Sequence, residues 1–416
     1  MGYSIIGLLA ALGTPIFVVM SLFAMLAFYF AEVEISAVAI EIYRLAQAPT
    51  LLTIPLFTFA GYLLAESKSP QRLLKLAEAF LGWLPGGVAI VSLCVCAFFT
   101  AFTGASGVTI IALGGLIYPM LLKEQYSEKF SLGLITTSGS LGLLFPPSLP
   151  IILYGIVAKV DINELFIAGI IPGTLLVLIL AGWSVYNGKG SGSTRIPFSF
   201  SNAKLAMKNA RYELPLPFII LGGIYGGFIT VTEAAAITAF YTLIMVVVLY
   251  KDIKIKDDLP NIVKDSMTLV GAILLILACA LGLTNYLVDE EVPMKILEAM
   301  KQLIQNKWMF LLCLNIFLLI VGSLMDIFSA IIVVVPLILP IAQQFDVHPI
   351  HLAIIFLTNL EIGYITPPVG INLFISSFRF EKSVLSIYKA SAPYLFLLLG
   401  ALMLITYVPW LSLAWV

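Results

Sequence analysis

Asp326 is an acidic residue inside one of the most apolar parts of the chain. The residues at 319–321 and at 331–333 are all Leu, Ile or Val. An aspartate near the centre of a membrane span costs about 2.5–3.5 kcal/mol, so it persists where a cation, a hydrogen-bond partner or water offsets that cost. Asp326 therefore either binds a cation or a substrate, or it lies at an aqueous end of its helix. The sequence favours the first role.

Two further acids and both histidines are weaker candidates. Glu361 lies in another apolar stretch, where it either takes part in function or pairs locally. Glu233 follows two threonines at a turn, which is typical of a residue that caps a helix. His348 and His351 are three positions apart, but they stand beside an aspartate and a proline. This setting indicates a solvated loop rather than a pair of metal ligands.

Two pairs of breaks interrupt long apolar stretches, and hydroxyl groups lie at them. Thr-Gly-Ala-Ser-Gly at 103–107 pairs with Gly-Ser-Leu-Met-Asp at 322–326, and Phe-Pro-Pro-Ser at 145–148 pairs with Thr-Pro-Pro-Val at 366–369. Broken helices at membrane depth leave backbone groups unpaired, so they persist where they bind something or line a cavity. Matching breaks in two halves indicate the binding site of a transporter, with helix N-termini for anions and unwound carbonyls for cations.

These breaks belong to an internal repeat. Pro146 follows Pro119 by 27 positions, and Pro367 follows Pro340 by the same number, so the two copies are offset by 221 residues. Gly142 corresponds to Gly363 at that offset. A repeat of this length must be recognised before the fold is assigned, because it makes two copies of one unit the basis of the architecture.

Composition places the repeat in a membrane. Hydrophobic residues make up 61% of the 416 residues and charged residues only 11%. Apolar runs of about 20 residues, the length that spans a bilayer as a helix, recur along the chain. The formal net charge of −1 gives no indication of nucleic-acid binding, and the four cysteines all lie in apolar runs, which is typical of packing residues. The fold class is therefore an all-α polytopic membrane protein.

The repeat divides the chain into two halves joined by a polar linker. The first half is residues 1–187, the linker is 188–213 and the second half is 214–416. Prolines in a short apolar stretch predict a re-entrant hairpin at about 48–66, and its counterpart is at about 267–287. The double-length runs at 84–122 and 309–341 are predicted to be broken helices. Excess lysine and arginine in the linker indicates the cytoplasmic side.

Several short motifs match one known family in order along nearly the whole chain. They are Ile-Pro-Leu-Phe at 54–57, Leu-Pro-Gly-Gly at 84–87, the break at 103–107, Phe-Pro-Pro-Ser-Leu-Pro at 145–150, Thr-Glu-Ala-Ala-Ala at 232–236 and Thr-Pro-Pro-Val-Gly-Ile-Asn-Leu at 366–373. On these motifs the sequence resembles the large membrane (M, DctM-type) subunit of tripartite ATP-independent periplasmic (TRAP) transporters. Val231 stands where that family usually has proline.

The resemblance implies a fold of two inverted repeats with re-entrant hairpins and broken helices. It also implies an elevator-type carrier of the ion-transporter superfamily. It implies Na⁺ coupling, a small membrane (Q) subunit, a periplasmic substrate-binding (P) protein and a location in the bacterial inner membrane. The substrates would be organic acids. The segment Gly-Ser-Leu-Gly-Leu-Leu-Phe at 139–145 is closest to the sialic-acid branch. No cofactor and no metal other than Na⁺ are implied.

The motifs and breaks together select the candidate site residues. The predicted substrate-binding residues are Thr103, Ser106, Ser148, Asp326 and Asn372. The predicted sodium-binding residues are Thr53, Pro55, Gly104, Ser106, Gly107, Gly282, Gly322, Asp326, Thr366 and Pro367.

Other functions stay open on the sequence alone. One is a stand-alone Na⁺/dicarboxylate carrier of the same superfamily, which would need no binding protein. Another is an ion channel, although two repeats in one chain already build one site, whereas channels tend to be symmetric oligomers. An enzyme is disfavoured because only two histidines exist and no cluster of nucleophile and base is visible. No phosphate-binding loop indicates ATP use.

Overall fold

A computed structural model describes residues 14–30, 49–188, 198–291 and 306–416, together with a few isolated positions between them. Within those residues all regular structure is helical, and eight helices are long and apolar enough to cross a membrane. The predicted fold class, an all-α polytopic membrane protein, is confirmed.

The described part of the first half forms eight helices. They are α1 (Ile16–Phe30), α2 (Thr53–Glu66, preceded by a 3₁₀ turn at Pro49–Leu52), α3 (Ser69–Leu81), α4 (Gly87–Thr103), α5 (Ser106–Lys123), α6 (Glu128–Ser138), α7 (Leu149–Ala158) and α8 (Ile162–Gly188). A short 3₁₀ turn, Leu141–Leu144, lies between α6 and α7.

The described residues of the linker and the second half form ten further helices. They are α9 (Phe200–Asn209), α10 (Pro215–Tyr225), α11 (Val231–Leu249), α12 (Leu259–Asp289), α13 (Lys307–Leu324), α14 (Ile327–Gln344), α15 (Pro349–Gly363), α16 (Ile371–Phe380), α17 (Val384–Tyr407) and α18 (Trp410–Leu413). Of the predicted linker, residues 198–213 are described and contain α9, whereas 189–197 lie outside the described residues.

The internal repeat is visible in the helix bounds. Shifting α5 by 221 positions gives residues 327–344, which are the bounds of α14. In the same order, α4, α6, α7 and α8 correspond to α13, α15, α16 and α17 within a few residues. The Pro146–Pro147 and Pro367–Pro368 peptide bonds are both cis. Two copies of one five-helix unit therefore build most of the protein.

The predicted broken helices at 84–122 and 309–341 are instead helical hairpins. Thr100 Oγ1 in α4 lies 2.8 Å from Thr109 Oγ1 in α5, whereas nine residues of continuous helix would separate them by about 13 Å. Gly104, between the two helices, has φ +65°, a left-handed conformation that glycine adopts without strain. The chain therefore reverses at this break.

The second hairpin is identified by contacts at its open end. The ring of Phe310, near the start of α13, stacks on that of Phe345, just after α14, with centroids 4.5 Å apart. Lys307 Nζ donates to the carbonyl of Asp346 at 2.6 Å. The two helices of this hairpin are antiparallel, so this prediction is also wrong for the second half.

The predicted re-entrant hairpins at about 48–66 and 267–287 are wrong as well. Residues 53–66 form the single helix α2, and Leu259–Asp289 forms the single 31-residue helix α12. Pro55 lies in the first turn of α2, where proline costs no backbone hydrogen bond because the first amides of a helix have no partner within it. The prolines therefore start this helix and do not reverse it.

The second pair of breaks interrupts helices as predicted. The α6 segment and α7 are bent by 44° across the first Pro-Pro. In the second copy α15 ends at Gly363 and α16 begins at Ile371, after Gly370 with φ +55°. Each repeat therefore contains one hairpin, followed by one helix that unwinds at a Pro-Pro dipeptide.

We expect Gly363→Ala to destabilise the protein. A Cβ at Gly363 would lie 2.5 Å from the backbone carbon of Gly322, where α15 crosses α13. Because neither backbone can move alone, overpacking should cost about 1–3 kcal/mol and lower the thermal unfolding temperature of the purified protein. Gly400→Ala in α17 is the control, since its Cβ would meet no atom within 4 Å. An equal or higher unfolding temperature for Gly363→Ala than for Gly400→Ala would contradict this packing.

Candidate functional site

The tip of the first hairpin is hydrogen-bonded to the unwound helix of the other repeat. Ser106 Oγ, at the start of α5, donates to Asn372 Oδ1 at 2.7 Å. Asn372 Nδ2 donates in turn to the carbonyl of Thr136 in α6 at 3.2 Å. Ser106 is 4% exposed and Asn372 is fully buried. Two residues predicted from the sequence, 266 positions apart, therefore meet in one buried polar site.

The tip of the second hairpin also contacts the start of α16. Gly370 N, immediately before α16, donates to the carbonyl of Ser323 at 3.0 Å. Residues 370–372 thus contact both hairpin tips, the second through Gly370 and the first through Asn372. The start of α16 lies between the two tips, and we take this junction as the candidate functional site.

Three helix N-termini converge at the first tip. Ser106 begins α5 and contacts Asn372 in the first turn of α16. A Cβ at Gly104 would lie 2.6 Å from Leu149, the first residue of α7. Because a helix carries about half a positive charge at its N-terminus, their convergence produces a positive potential without a cationic side chain.

Helices α5 and α16 run in the same direction from this site. The contacts advance in step along both helices, since the side chain of Ile375 lies against Gly107, and the rings of Tyr118 and Phe380 are 5.1 Å apart. Gly107, a predicted sodium residue, lies one residue after Ser106 and admits this side chain because it has no Cβ of its own. The first hairpin and the second unwound helix are therefore packed together along their length.

A group of buried threonine hydroxyls lies directly behind the first tip. Thr100 Oγ1 donates to the carbonyl of Gly139 at 2.7 Å, and Thr109 Oγ1 lies 2.8 Å from Thr100 Oγ1 and 3.4 Å from Thr103 Oγ1. All three threonines are fully buried. Thr103 was predicted, whereas Thr100 and Thr109 were missed because only a reversal at Gly104 brings them together.

Ser148 is an unpartnered hydroxyl beside this group. It is fully buried at the N-cap of α7, and its Oγ has no hydrogen-bond partner among the described residues. The next residue, Leu149, is the one that Gly104 contacts. A buried hydroxyl at a helix N-terminus that uses no protein partner is available to a bound substrate or ion.

Asp326 caps a helix at the second tip. Its Oδ1 accepts from the amides of Phe328 and Ser329 at 2.9 and 3.0 Å, and its Oδ2 accepts from Ser329 Oγ at 2.6 Å. The side chain is partly buried. These bonds within the first turn of α14 offset much of the cost of an acid at this depth. Tyr364 Oη, which the sequence did not single out, accepts from Ile327 N at 2.8 Å and holds the same turn.

Four other predicted sodium-binding residues lie near the breaks or within helices. Thr366 Oγ1 donates to the carbonyl of Ile362 at 2.8 Å, and Pro367 is exposed beside it. Gly322 packs against Leu360 and Gly363, so its role here is a close helix crossing. Gly282 lies inside the continuous α12.

Thr53 and Pro55 are not brought to either tip. The residue of α2 that touches the first tip is Gly61, whose Cβ would lie 2.7 Å from Thr103 Cα. Thr53 is eight positions earlier on the same helix, about 12 Å along its axis, and its hydroxyl donates to the carbonyl of Thr50. The expected contact depended on a hairpin at 48–66, and that hairpin does not form.

Glu361 is fully buried in α15, and neither of its carboxylate oxygens has a hydrogen-bond partner among the described residues, so the expected local pairing is not seen there. Glu233 and the two histidines have other roles. Glu233 forms a capping box with Thr230, as expected. His348 caps α15, whereas the buried His351 contacts Ser412 and Thr406, so the two do not act as a ligand pair. Across the described residues, no group of three or more His, Cys, Asp and Glu side chains could hold a metal ion. A cation here would be held by hydroxyl and carbonyl oxygens.

A duplicated unit of hairpin and unwound helix around a buried polar junction is the architecture of a membrane transporter. Residues 4–411 match the family model described as the tripartite ATP-independent periplasmic transporter, DctM component. The chain belongs to this family, so it is a transporter subunit and not an enzyme.

Relatives of similar length support this assignment. The C4-dicarboxylate TRAP transporter large permease protein DctM of Pseudomonas aeruginosa is 34% identical over 386 residues, which cover 92% of this chain and 90% of that one. The protein of the same name from Rhodobacter capsulatus is 32% identical over 430 residues, covering 99% and 97%.

A longer relative and a solved structure complete the comparison. The isethionate TRAP transporter permease protein DctMQ of Oleidesulfovibrio alaskensis is 36% identical over 362 residues, 86% of this chain but only 57% of that protein. The crystal structure of the Alcanivorax borkumensis YdaH transporter has a TM-score of 0.62 at 14% identity, covering 91% of this chain and 88% of that one. At that identity it shows a shared fold alone.

We expect Ser106→Ala to reduce transport about tenfold, because it removes one buried hydrogen bond and leaves Asn372 Oδ1 unsatisfied. Asn372→Ala should reduce transport at least as much, because it also removes the bond to the Thr136 carbonyl. The double variant should lose little more than Asn372→Ala alone, since that change already breaks the bond to Ser106. Initial uptake rates by the assembled transporter measure this, with Cys94→Ala in α4 as the control. Strictly additive losses, or a loss of equal size for Cys94→Ala, would show that the bond is not part of the transport site.

Proposed function

We propose that this chain is the membrane permease of a Na⁺-coupled, binding-protein-dependent transporter that imports a small organic anion across the bacterial inner membrane. The observation that carries the proposal is the junction at residues 370–372, where both hairpin tips meet the start of α16.

The anionic character of the cargo follows from the convergence of helix N-termini. Helices α5, α7 and α16 begin at or beside the first tip, and no lysine or arginine is among the residues that form it. Such a site attracts a carboxylate or sulfonate without holding it as tightly as a salt bridge would. Moderate affinity suits a carrier, which must release what it binds.

Coupling to Na⁺ is supported by the chemistry of the oxygen donors. The predicted sodium residues Gly104, Ser106 and Gly107 surround the reversal at the first tip, and Gly322 and Asp326 flank the second tip. Unwound backbone carbonyls at such breaks are the usual ligands for Na⁺ in secondary transporters. The hydroxyls of Thr103 and Ser148 supply further neutral oxygens. Na⁺ bound here would cross the membrane together with the substrate, and the Na⁺ gradient would drive the transport.

An elevator movement is supported by the way in which each hairpin packs against the unwound helix of the other repeat. The first hairpin packs along α16 of the second repeat, and α14 of the second hairpin packs along α7 of the first. The two hairpins and the two unwound helices are thereby joined as one body around the site. We propose that this body moves across the membrane with its cargo, against helices such as α2 and α11 that pack on each other outside it.

Two partners are part of the proposal. The family description names a tripartite transporter, of which this chain is one component. The others would be a small membrane (Q) subunit and a periplasmic substrate-binding (P) protein. Similarity to relatives named for C4-dicarboxylates and isethionate supports a small organic anion as substrate. The motif at 139–145 favours sialic acid within that class.

Uptake into proteoliposomes that contain the assembled transporter tests the function. With the binding protein outside, we expect saturable uptake of one substrate from a panel of C4-dicarboxylates, isethionate and sialic acid. Replacing external Na⁺ with choline should abolish uptake, because no other driving ion or nucleotide has a site in the proposal. Uptake at full rate in choline would contradict Na⁺ coupling. Uptake without a binding protein would indicate a stand-alone carrier, and flux that does not saturate would indicate a channel.

We expect Asp326→Asn to abolish transport while the protein stays folded. Asparagine also caps helices, so this variant keeps the first turn of α14 and removes only the charge. Asp326→Ala should lose both transport and about 1 kcal/mol of stability, because it removes the cap as well. Uptake rates and thermal unfolding temperatures of the two variants separate these roles. If Asp326→Asn transports at the parental rate with unchanged Na⁺ dependence, Asp326 serves only as a cap.

A further inference from the structure

The two helices of the second hairpin stand apart and enclose an apolar cavity of about 340 Å³. The side chains of Phe310, Cys313 and Phe317 from α13 and of Val334, Leu337 and Ile341 from α14 line it. The cavity is partly open, and Phe317 is 46% exposed at its edge. Such a space within one hairpin is unusual, because these helices could bury more surface by closing on each other.

The corresponding positions of the first hairpin explain the difference in spacing. At 221 positions earlier, Phe310, Cys313 and Phe317 correspond to Ala89, Ser92 and Cys96. These three small residues are all buried in α4. Two phenylalanines in α13 therefore occupy the places of an alanine and a cysteine, and their bulk keeps α13 and α14 apart.

The depth of the cavity follows from the residues at its base. Trp308 lies two residues before Phe310, is exposed, and its ring is 5.5 Å from that of Tyr407. An exposed Trp and a half-buried Tyr beside a lysine, here Lys307, are typical of the membrane–water interface. From Phe310 to Phe317 the helix rises by about 10 Å. The cavity thus begins just below the interface and extends into the hydrocarbon layer.

Water and a protein helix are both poor occupants. The lining side chains carry no hydroxyl, amide or charged group, and a stable water needs two to four polar partners. A helix with its side chains is about 10–12 Å wide, whereas the Phe310 and Phe345 rings close the base of the hairpin at 4.5 Å. A flexible hydrocarbon chain fits such a cavity, and the bilayer supplies it at this depth.

We propose that the second hairpin holds one acyl chain of a membrane phospholipid between α13 and α14, with the headgroup at the level of Lys307 and Trp308. The chain replaces the helix–helix contact that the phenylalanines prevent. It makes the bound lipid a structural part of this hairpin, while the first hairpin needs none. The proposal does not depend on the substrate or the coupling ion.

Photo-crosslinking tests this binding site. The full-length protein is reconstituted with a phosphatidylethanolamine that carries a diazirine in the middle of one acyl chain, extracted in mild detergent, washed and then irradiated. Peptide mass spectrometry locates the adducts. We expect them at the cavity residues, severalfold above the adducts at Leu312 and Ile320, which are exposed on the outer side of α13. Bulk lipid leaves exposed positions during the wash, whereas an enclosed chain stays.

Two variants that fill the cavity are compared with one that does not. Val334→Trp and Cys313→Phe add bulk inside the cavity from opposite helices, and either one that elutes as a single species should lose the cavity adducts severalfold. Ile320→Trp adds bulk at an exposed position and should keep them. The proposal would be overturned by adducts that are spread evenly between Ile320 and the cavity. It would also be overturned by adducts that both filling variants retain, or by the absence of adducts in the cavity.

Discussion

Residues 370–372 are the constraint on which the rest of the structure depends. They lie where the unwound stretch between α15 and α16 ends, and polar groups of such a stretch inside a membrane protein must find partners within the chain. Gly370 N uses the carbonyl of Ser323, and Asn372 uses Ser106 and Thr136. The same bonds that satisfy the unwound segment bring both hairpin tips to it. A polar site between the repeats is therefore a consequence of satisfying the backbone there.

The two halves share a plan but differ in chemistry. The first tip reverses at Gly104 with a positive φ, and hydroxyl groups surround it. At the second tip the chain is extended, and Asp326 caps the next helix. Ser106 has an isoleucine, Ile327, as its counterpart at an offset of 221. One repeat thus presents neutral oxygens at its tip and the other a carboxylate.

Much of this arrangement could be predicted from the sequence. The repeat offset, the membrane class and the positions of the four breaks follow from composition, glycine and proline, and the family motifs and breaks assigned Ser106 and Asn372 to one site. What could not be predicted is whether a break bends a helix or reverses it. Glycine at 104 permits both, and only the contact between Thr100 and Thr109 decides. Prolines near 49–55 were equally ambiguous, because proline both disrupts a helix and begins one.

Thermal unfolding of the purified protein in Na⁺, K⁺ and choline at equal ionic strength tests most directly whether the junction binds the coupling ion. A ligand that binds only the folded state stabilises it by about 2.7 kcal/mol at one hundred times its dissociation constant. We predict a higher unfolding temperature in Na⁺ than in K⁺ or choline for the parental protein, and no such difference for Ser106→Ala. Equal unfolding temperatures in the three salts, or an undiminished Na⁺ effect in Ser106→Ala, would contradict a sodium site at the first tip.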